Sequence, residues 1–210
     1  MARPMLKYKL GTALTSLVAS LMKTKSRSNV NVKGFSLIEI VVVMAVVGTM
    51  AAAASVLVPA LINQSKSDGA TAQVINTLRV ARDRAIGERR NVEVRFLGTN
   101  HIQIARQEIP GPATTVVADM FLEGGQRFLQ YTGVPDTPDY FGALGPIAFG
   151  STPTIMFTSE GTFVDSVGDV LNGTLFLGKP GEPTTGRAIT VFGTTALLHL
   201  WKWDGHQWTD

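Results

Sequence analysis

Residues 33–39 read KGFSLIE, and residues 40–62 continue IVVVMAVVGTMAAAASVLVPALI. From Phe35 to Ile62 the chain therefore has 28 residues and one charge, Glu39. As an α-helix, rising 1.5 Å per residue, such a stretch is about 42 Å long, against about 30 Å for the hydrocarbon core of a bilayer. A helix in the core of a soluble domain buries one stripe and rarely stays apolar all round over this length. The preceding block holds Arg3, Lys7, Lys9, Lys23, Lys25, Arg27 and Lys33 and no acid. A basic flank stays in the cytoplasm and sends the rest of the chain outward. A cleaved secretory signal is the competing reading, but its apolar region runs only about 7–15 residues.

Glu39 is the residue that this first reading leaves unexplained. An acid at mid-bilayer costs about 2.5–3.5 kcal/mol on insertion scales, less near the interface. One account is a carboxylate that snorkels to the membrane surface. The other needs a cation at the same depth, and no Lys or Arg lies between Phe35 and Ile62. A cut after Gly34 would supply one, because Phe35 would then carry a free α-amino group four residues before Glu39. The same pair could form between neighbouring chains. Residues 10–22, LGTALTSLVASLM, are too short and too rich in Thr and Ser to span. If translation starts at Met22, the basic leader shortens to MKTKSRSNVNVKG.

Lys33-Gly34 followed by Phe-Ser-Leu-Ile-Glu and an apolar helix resembles the N-terminal signature of type IV prepilins and type II secretion pseudopilins. The resemblance implies that a prepilin peptidase cuts between Gly34 and Phe35, that Phe35 is N-methylated, and that Glu39 registers each incoming subunit in a filament. Further along, Ala81-Arg82, Ala85-Ile86 and Arg90-Asn91-Val92-Glu93-Val94 resemble the helix-to-strand junction of GspH/FimT-type minor pseudopilins. Phe157-Thr158-Ser159-Glu160-Gly161 is similar to that group's phenylalanine-to-glycine turn, and Arg187-Ala188-Ile189-Thr190-Val191 to its late strand. Its DNA-binding members carry a basic C-terminal tail. This chain instead ends HLWKWDGHQWTD, with Lys202 as the one basic residue besides histidines.

The exported part reads as α+β. Ala70, Val74, Ile75, Leu78, Ala81, Ala85 and Ile86 follow helical spacing. Pro59 is expected to kink the helix and Gly87 to stop it. NVEVRFL alternates, turns at Gly98-Thr99-Asn100 and returns as HIQIA. Pro, Gly and Asp crowd residues 133–153, which reads as a long surface loop. TIMFTS, TLFLG, AITVF and ALLHLWKW follow as strands, the last pair joined at Gly193-Thr194-Thr195. The expected organisation is a leader over 1–34, an apolar helix over 35–62, an amphipathic continuation over 63–87, and a β-rich domain over 88–210. In the pilin-like fold that the resemblance implies, the helix packs on an antiparallel sheet.

No cysteine is present, which excludes disulfides, thiolate metal sites and cysteine nucleophiles. His101, His199 and His206 stand in no catalytic spacing, and His199 alternates with Trp201 and Trp203 along one strand face. Asp165, Asp169 and Asn172 offer oxygen ligands, but not at EF-hand spacing. No catalytic residue, cofactor or metal is assigned. Arg79, Arg82, Arg84, Arg89, Arg90 and Arg95 meet Asp83, Glu88 and Glu93 within residues 79–95. They read either as a phosphate-contacting patch or as a solvated, internally paired face. Trp201, Trp203 and Trp208 could stack bases, pack a terminal strand or face another subunit.

The expectation is a non-catalytic minor pseudopilin of a type II secretion pseudopilus, with DNA an unfavoured partner. Its partners would be the prepilin peptidase, the other subunits of its filament and the inner membrane, crossed once with the C-terminal domain periplasmic. A minor type IV pilin acting in pilus priming or DNA uptake is the alternative, and a signal-anchored periplasmic enzyme is the third reading. The small residues Gly48, Ala51, Ala52, Ala53, Ala54 and Ser55 suit close helix approach in lipid and in a filament.

Overall fold

The computed structural model describes residues 34–150 and 154–210. The basic leader up to Lys33, the 10–22 segment, the alternative start at Met22 and residues 151–153 of the expected loop lie outside the described residues. The chain divides into two units, one ending at Thr49 and the other beginning at Met50. The described residues of the first, 34–49, are all exposed. They open the helix α1, Leu37–Glu88, which is continuous over 52 residues and contains Pro59 without interruption.

In the second unit, α1 acquires a buried face only from Ser67 onward. Ser67, Ala70, Thr71, Val74, Leu78, Ala81 and Ala85 are buried, at the three-to-four-residue spacing of one helix face. Their burial is made by two antiparallel sheets. The first has the order β3-β2-β1-β6-β7 and the second β11-β10-β9-β8-β4. The strands of the first are β1 (Val92–Leu97), β2 (His101–Gln107), β3 (Thr114–Phe121), β6 (Thr154–Phe157) and β7 (Phe163–Val164). The second holds β4 (Arg127–Phe128), β8 (Gly173–Lys179), β9 (Glu182–Phe192), β10 (Leu197–Trp203) and β11 (Trp208–Thr209), with β5 (Ile147–Ala148) paired to β8. Alternate residues of both sheets meet the helix face in one core: Val92, Val94 and Phe96 of β1, Ile102 and Ile104 of β2, Leu175 and Leu177 of β8, Ile189 and Val191 of β9. The α+β expectation holds, with two sheets where the sequence suggested one.

Three details differ from the sequence reading. The helix passes Gly87 and ends at Glu88, and the left-handed residue beyond it is Arg89, at φ 50°. Arg90 N donates to Ala85 O at 3.1 Å and Arg89 N to Ile86 O at 3.3 Å. This is the Schellman closure, with arginine where glycine is usual. Strand β3 was not anticipated at all. The 133–153 stretch is more than a surface loop: Thr137, Ala148 and Phe149 are buried, and β5 lies inside it.

Candidate functional site

The N-terminal site is built on the first turn of α1. Gly34, Phe35 and Ser36 precede the helix, and Phe35 is 76% exposed. Among the described residues, a side-chain carbon added at Gly34 would meet nothing within 4 Å. Ile40 N donates to Ser36 O at 3.2 Å, which makes Ser36 the residue that opens the helix. Ser36 and Glu39 thus occupy the first and fourth places of a capping box, a spacing the sequence reading missed. Glu39 also lies in the first turn, where the helix dipole favours an acid. Phe35, Glu39, Ile40, Val43 and Met44 enclose an open surface depression of about 230 Å3. Phe35 and Glu39 thus line the same face of the helix start.

At the other end of α1, two of the short motifs meet. Arg82 Nε donates to the Gly161 carbonyl at 3.1 Å. Gly161 has φ 83°, and a side-chain carbon there would stand 2.8 Å from Ile86 Cδ1. The turn before it is closed by Gly161 N to Thr158 O at 2.8 Å, and Phe157 is buried in the core. The helix base and the turn thus approach closely where position 161 lacks a side chain and has a left-handed φ. The third motif is anchored higher on the helix. Arg187 is 1% exposed, and its Nε donates to Asp68 Oδ1 at 2.7 Å while Nη1 donates to Gly186 O at 2.8 Å. A buried guanidinium needs such partners. This bond between residues 119 positions apart was invisible in the sequence.

Three of the six arginines of residues 79–95 face acids. Arg84 faces Glu88 at 3.4 Å, Arg90 faces Glu108 at 3.9 Å, and Arg95 Nε donates to Glu93 at 2.9 Å. Arg106 bridges Glu108 at 2.6 Å and Glu88 at 3.0 Å. These hydrogen bonds to Glu108 and Glu88 raise the Arg106 guanidinium further above its ordinary value. The Arg106 bond likewise holds the Glu108 carboxyl below the usual range.

A model of the prokaryotic N-terminal methylation motif matches residues 29–55. The match ends within the apolar half of α1. No curated protein matches the chain. Among solved structures, the chain is similar to the type IV minor pilin FimU of Pseudomonas aeruginosa, at 14% identity and a TM-score of 0.43, over 70% of this chain and 92% of that one. It is also similar to the minor pseudopilin EpsH from the type 2 secretion system of Vibrio cholerae, at 15% identity and a TM-score of 0.45, over 69% and 99% of the two chains.

Beyond the matched segment, the remaining candidate groups serve the fold. Asp139, from the loop after β4, accepts a hydrogen bond from Thr190 Oγ1 and another from Trp201 Nε1, the latter at 2.8 Å. His199 Nδ1 stands 3.3 Å from Asp139, and its Nε2 stands 3.2 Å from Asp210. Trp208 Nε1 donates to Pro135 O at 2.9 Å, and its ring packs against Trp203 and Phe176. His199, Trp201 and Trp208 therefore fasten the 129–146 loop over the outer face of the second sheet, with Trp203 packed behind Trp208. His101 Nε2 bonds Asp119 at 2.7 Å on the first sheet. In the 165–172 loop, Asp165 Oδ1 accepts the backbone N–H groups of Val167, Gly168 and Asp169. Asn172 Oδ1 accepts Gly193 N at 2.7 Å. Those oxygens stabilise turns, and among the described residues no group of three or more His, Asp or Glu is placed to hold a metal.

Proposed function

We propose that this chain is a membrane-anchored assembly subunit of a pilin-like filament, acting as a minor pseudopilin in protein secretion. The observation that carries the reading is the methylation motif at 29–55 leading into a helix whose apolar side chains its own chain leaves exposed. In this reading the prepilin peptidase cuts between Gly34 and Phe35, and Phe35 is N-methylated. The new α-amine and the Glu39 carboxylate then form a pair as subunits meet, which offsets the cost of a lone acid in lipid. The helix lies in the inner membrane before assembly, with the folded unit on the periplasmic side. DNA uptake is disfavoured because Arg84, Arg90 and Arg95 are engaged by Glu88, Glu108 and Glu93, leaving fewer charges for phosphates.

Mass spectrometry of the membrane-purified protein tests the first step, with a methylated Phe35 as the expected terminus. An intact leader would defeat the reading, and Gly34→Leu should leave the precursor uncut. Cross-linking Glu39→Ala to the other filament subunits tests the second: insertion and cleavage should persist while incorporation is lost. Loss of secretion on deletion supports the pseudopilus, and loss of pilus-dependent DNA uptake with secretion intact would move the subunit to a pilus machine.

A further inference from the structure

Of the strands that end the two sheets, β3 alone is longer than two residues among the described strands. Its eight residues, TTVVADMF, pair with β2 on one side. The register places Ile102 opposite Met120 and Ile104 opposite Ala118, and Leu122 N donates to Asn100 O at 2.8 Å. In an antiparallel ladder the hydrogen-bonded positions alternate, so residues 118, 120 and 122 bond β2 while the N–H and C=O of Asp119 and Phe121 point away from it. Natural edges are usually blunted by lysine, proline or extreme shortness. β3 contains no Lys, Arg or Pro, and a register shift near Ala105 is the one irregularity.

Beside this edge lies a slot of about 110 Å3 between α1 and β3, lined by Thr77, Val80, Ile104, Ala118 and Met120. Val80 is 45% exposed and Ala118 is exposed, so the slot opens to solvent. An apolar cavity of about 150 Å3 takes a benzene molecule, which makes this one large enough for a single branched aliphatic side chain. Asp119 supplies the one charge of the strand, on the face opposite the slot.

We infer that β3 and this slot form a strand-addition site for an extended segment of another subunit in the same assembly. That segment adds to the sheet edge through backbone hydrogen bonds, seats one Val, Ile or Leu between α1 and β3, and presents Lys or Arg toward Asp119. Backbone pairing gives such complexes affinity, and the pocketed side chain gives them specificity. A second copy's β3 lacks the cation, so it does not supply the complement. The inference rests on the assembly-subunit reading.

Hydrogen–deuterium exchange of the full-length protein, alone in detergent and co-purified with the other pilin-like subunits of its system, tests it. The β3 amides should slow by about tenfold or more in the complex. Asp119→Pro removes an outward donor and Ala118→Leu fills the slot, and each should abolish that slowing while the rest of the second unit keeps its wild-type exchange. Co-purification with β3 amides as fast as in the isolated protein overturns this inference and leaves the assembly reading standing. Concentration-dependent protection of β3 in the protein alone overturns it in favour of self-pairing. Failure of the wild type to co-purify with any pilin-like subunit overturns both.

Discussion

Within α1, residues 40–47 read IVVVMAVV and residues 74–81 read VINTLRVA. Both segments are helical. In the first every side chain is exposed, whereas in the second Val74, Leu78 and Ala81 are fully buried and Asn76, Arg79 and Val80 are exposed. The second segment carries its folding instruction as a period, because one face has a partner within the chain. The first has no period, and no described residue of the chain covers it. An apolar helix left open on every side is unstable in water, so the chain requires lipid or other helices to complete it. The same element therefore holds a stability problem solved internally and an assembly problem solved externally.

The sharpest way to break that comparison is to remove apolar volume from each half. Leu78→Ala should destabilise the folded unit by about 2–5 kcal/mol, since a fully buried leucine leaves a cavity that its neighbours fill only in part. Val42→Ala should leave that unit's unfolding unchanged and act on assembly alone. Urea unfolding in detergent, followed by the emission of Trp201, Trp203 and Trp208, reads the second unit selectively. Equal losses from the two variants would show that both halves of the helix support the same core.

A smaller effect is expected where the helix is tied to the second sheet. Asp68→Ala deprives the buried Arg187 guanidinium of its carboxylate, although Asp68 itself is 53% exposed and water can replace part of the bond. A loss of about 1.5–3 kcal/mol is expected in the same unfolding experiment. Arg187→Met, which removes the charge together with the need for a partner, should cost less than Asp68→Ala. The reverse order would mean that packing of the arginine stem, and not its charge, matters at this point.

Gly161→Ala should cost about 1–2 kcal/mol, because φ 83° disfavours a side chain and the added carbon crowds Ile86. Ile86→Ala in the same chain relieves the crowding and leaves the backbone term. If the double variant is as stable as Ile86→Ala alone, the glycine is needed for space and not for its conformation.

What the sequence made legible follows from the same contrast. The apolar run, the helical face from Ala70 to Ala85 and the hairpin β1–β2 each carry a period or a composition that a single element displays by itself. Strand β3 does not, because it is only half-buried and its register shifts beside Ala105: Val117 and Met120 pack against the core while Val116 and Phe121 are exposed. β5 was hidden among prolines and glycines, since it is two residues long and owes its place to pairing with β8. The Asp139 contacts and the Asp68–Arg187 pair join positions far apart in the chain, and nothing local marks either carboxylate as special. At the N-terminus, Gly34, Phe35 and Glu39 were legible because the methylation motif is a linear pattern that needs no distant partner. The capping-box spacing of Ser36 and Glu39 is equally local.

The smallest expected effect lies in the turn between β10 and β11, remote in sequence from either half of α1. Asp204 Oδ1 accepts the backbone N–H groups of His206 and Gln207, each at 2.7 Å. Those bonds, that of Gln207 foremost, hold its carboxyl below the usual carboxylate range. A carboxyl depressed in the folded state contributes stability above its unfolded value of about 3.9, and that contribution is lost as the pH falls through the lower folded value. Acidification should therefore loosen this turn below about pH 4, and Trp208, which meets Trp203 edge-on across it, reports the change. Asp204→Asn keeps an oxygen to accept both N–H groups but cannot titrate. Its Trp208 emission should depend less on acid than that of the wild type, with the folded signal at neutral pH preserved. Asp119 is also held low, by His101 first, yet it lies on the first sheet. Asp119→Asn should therefore leave the Trp208 titration as it is in the wild type. A titration moved equally by both substitutions would mean that acid acts on the folded unit as a whole, with no separate response at the turn.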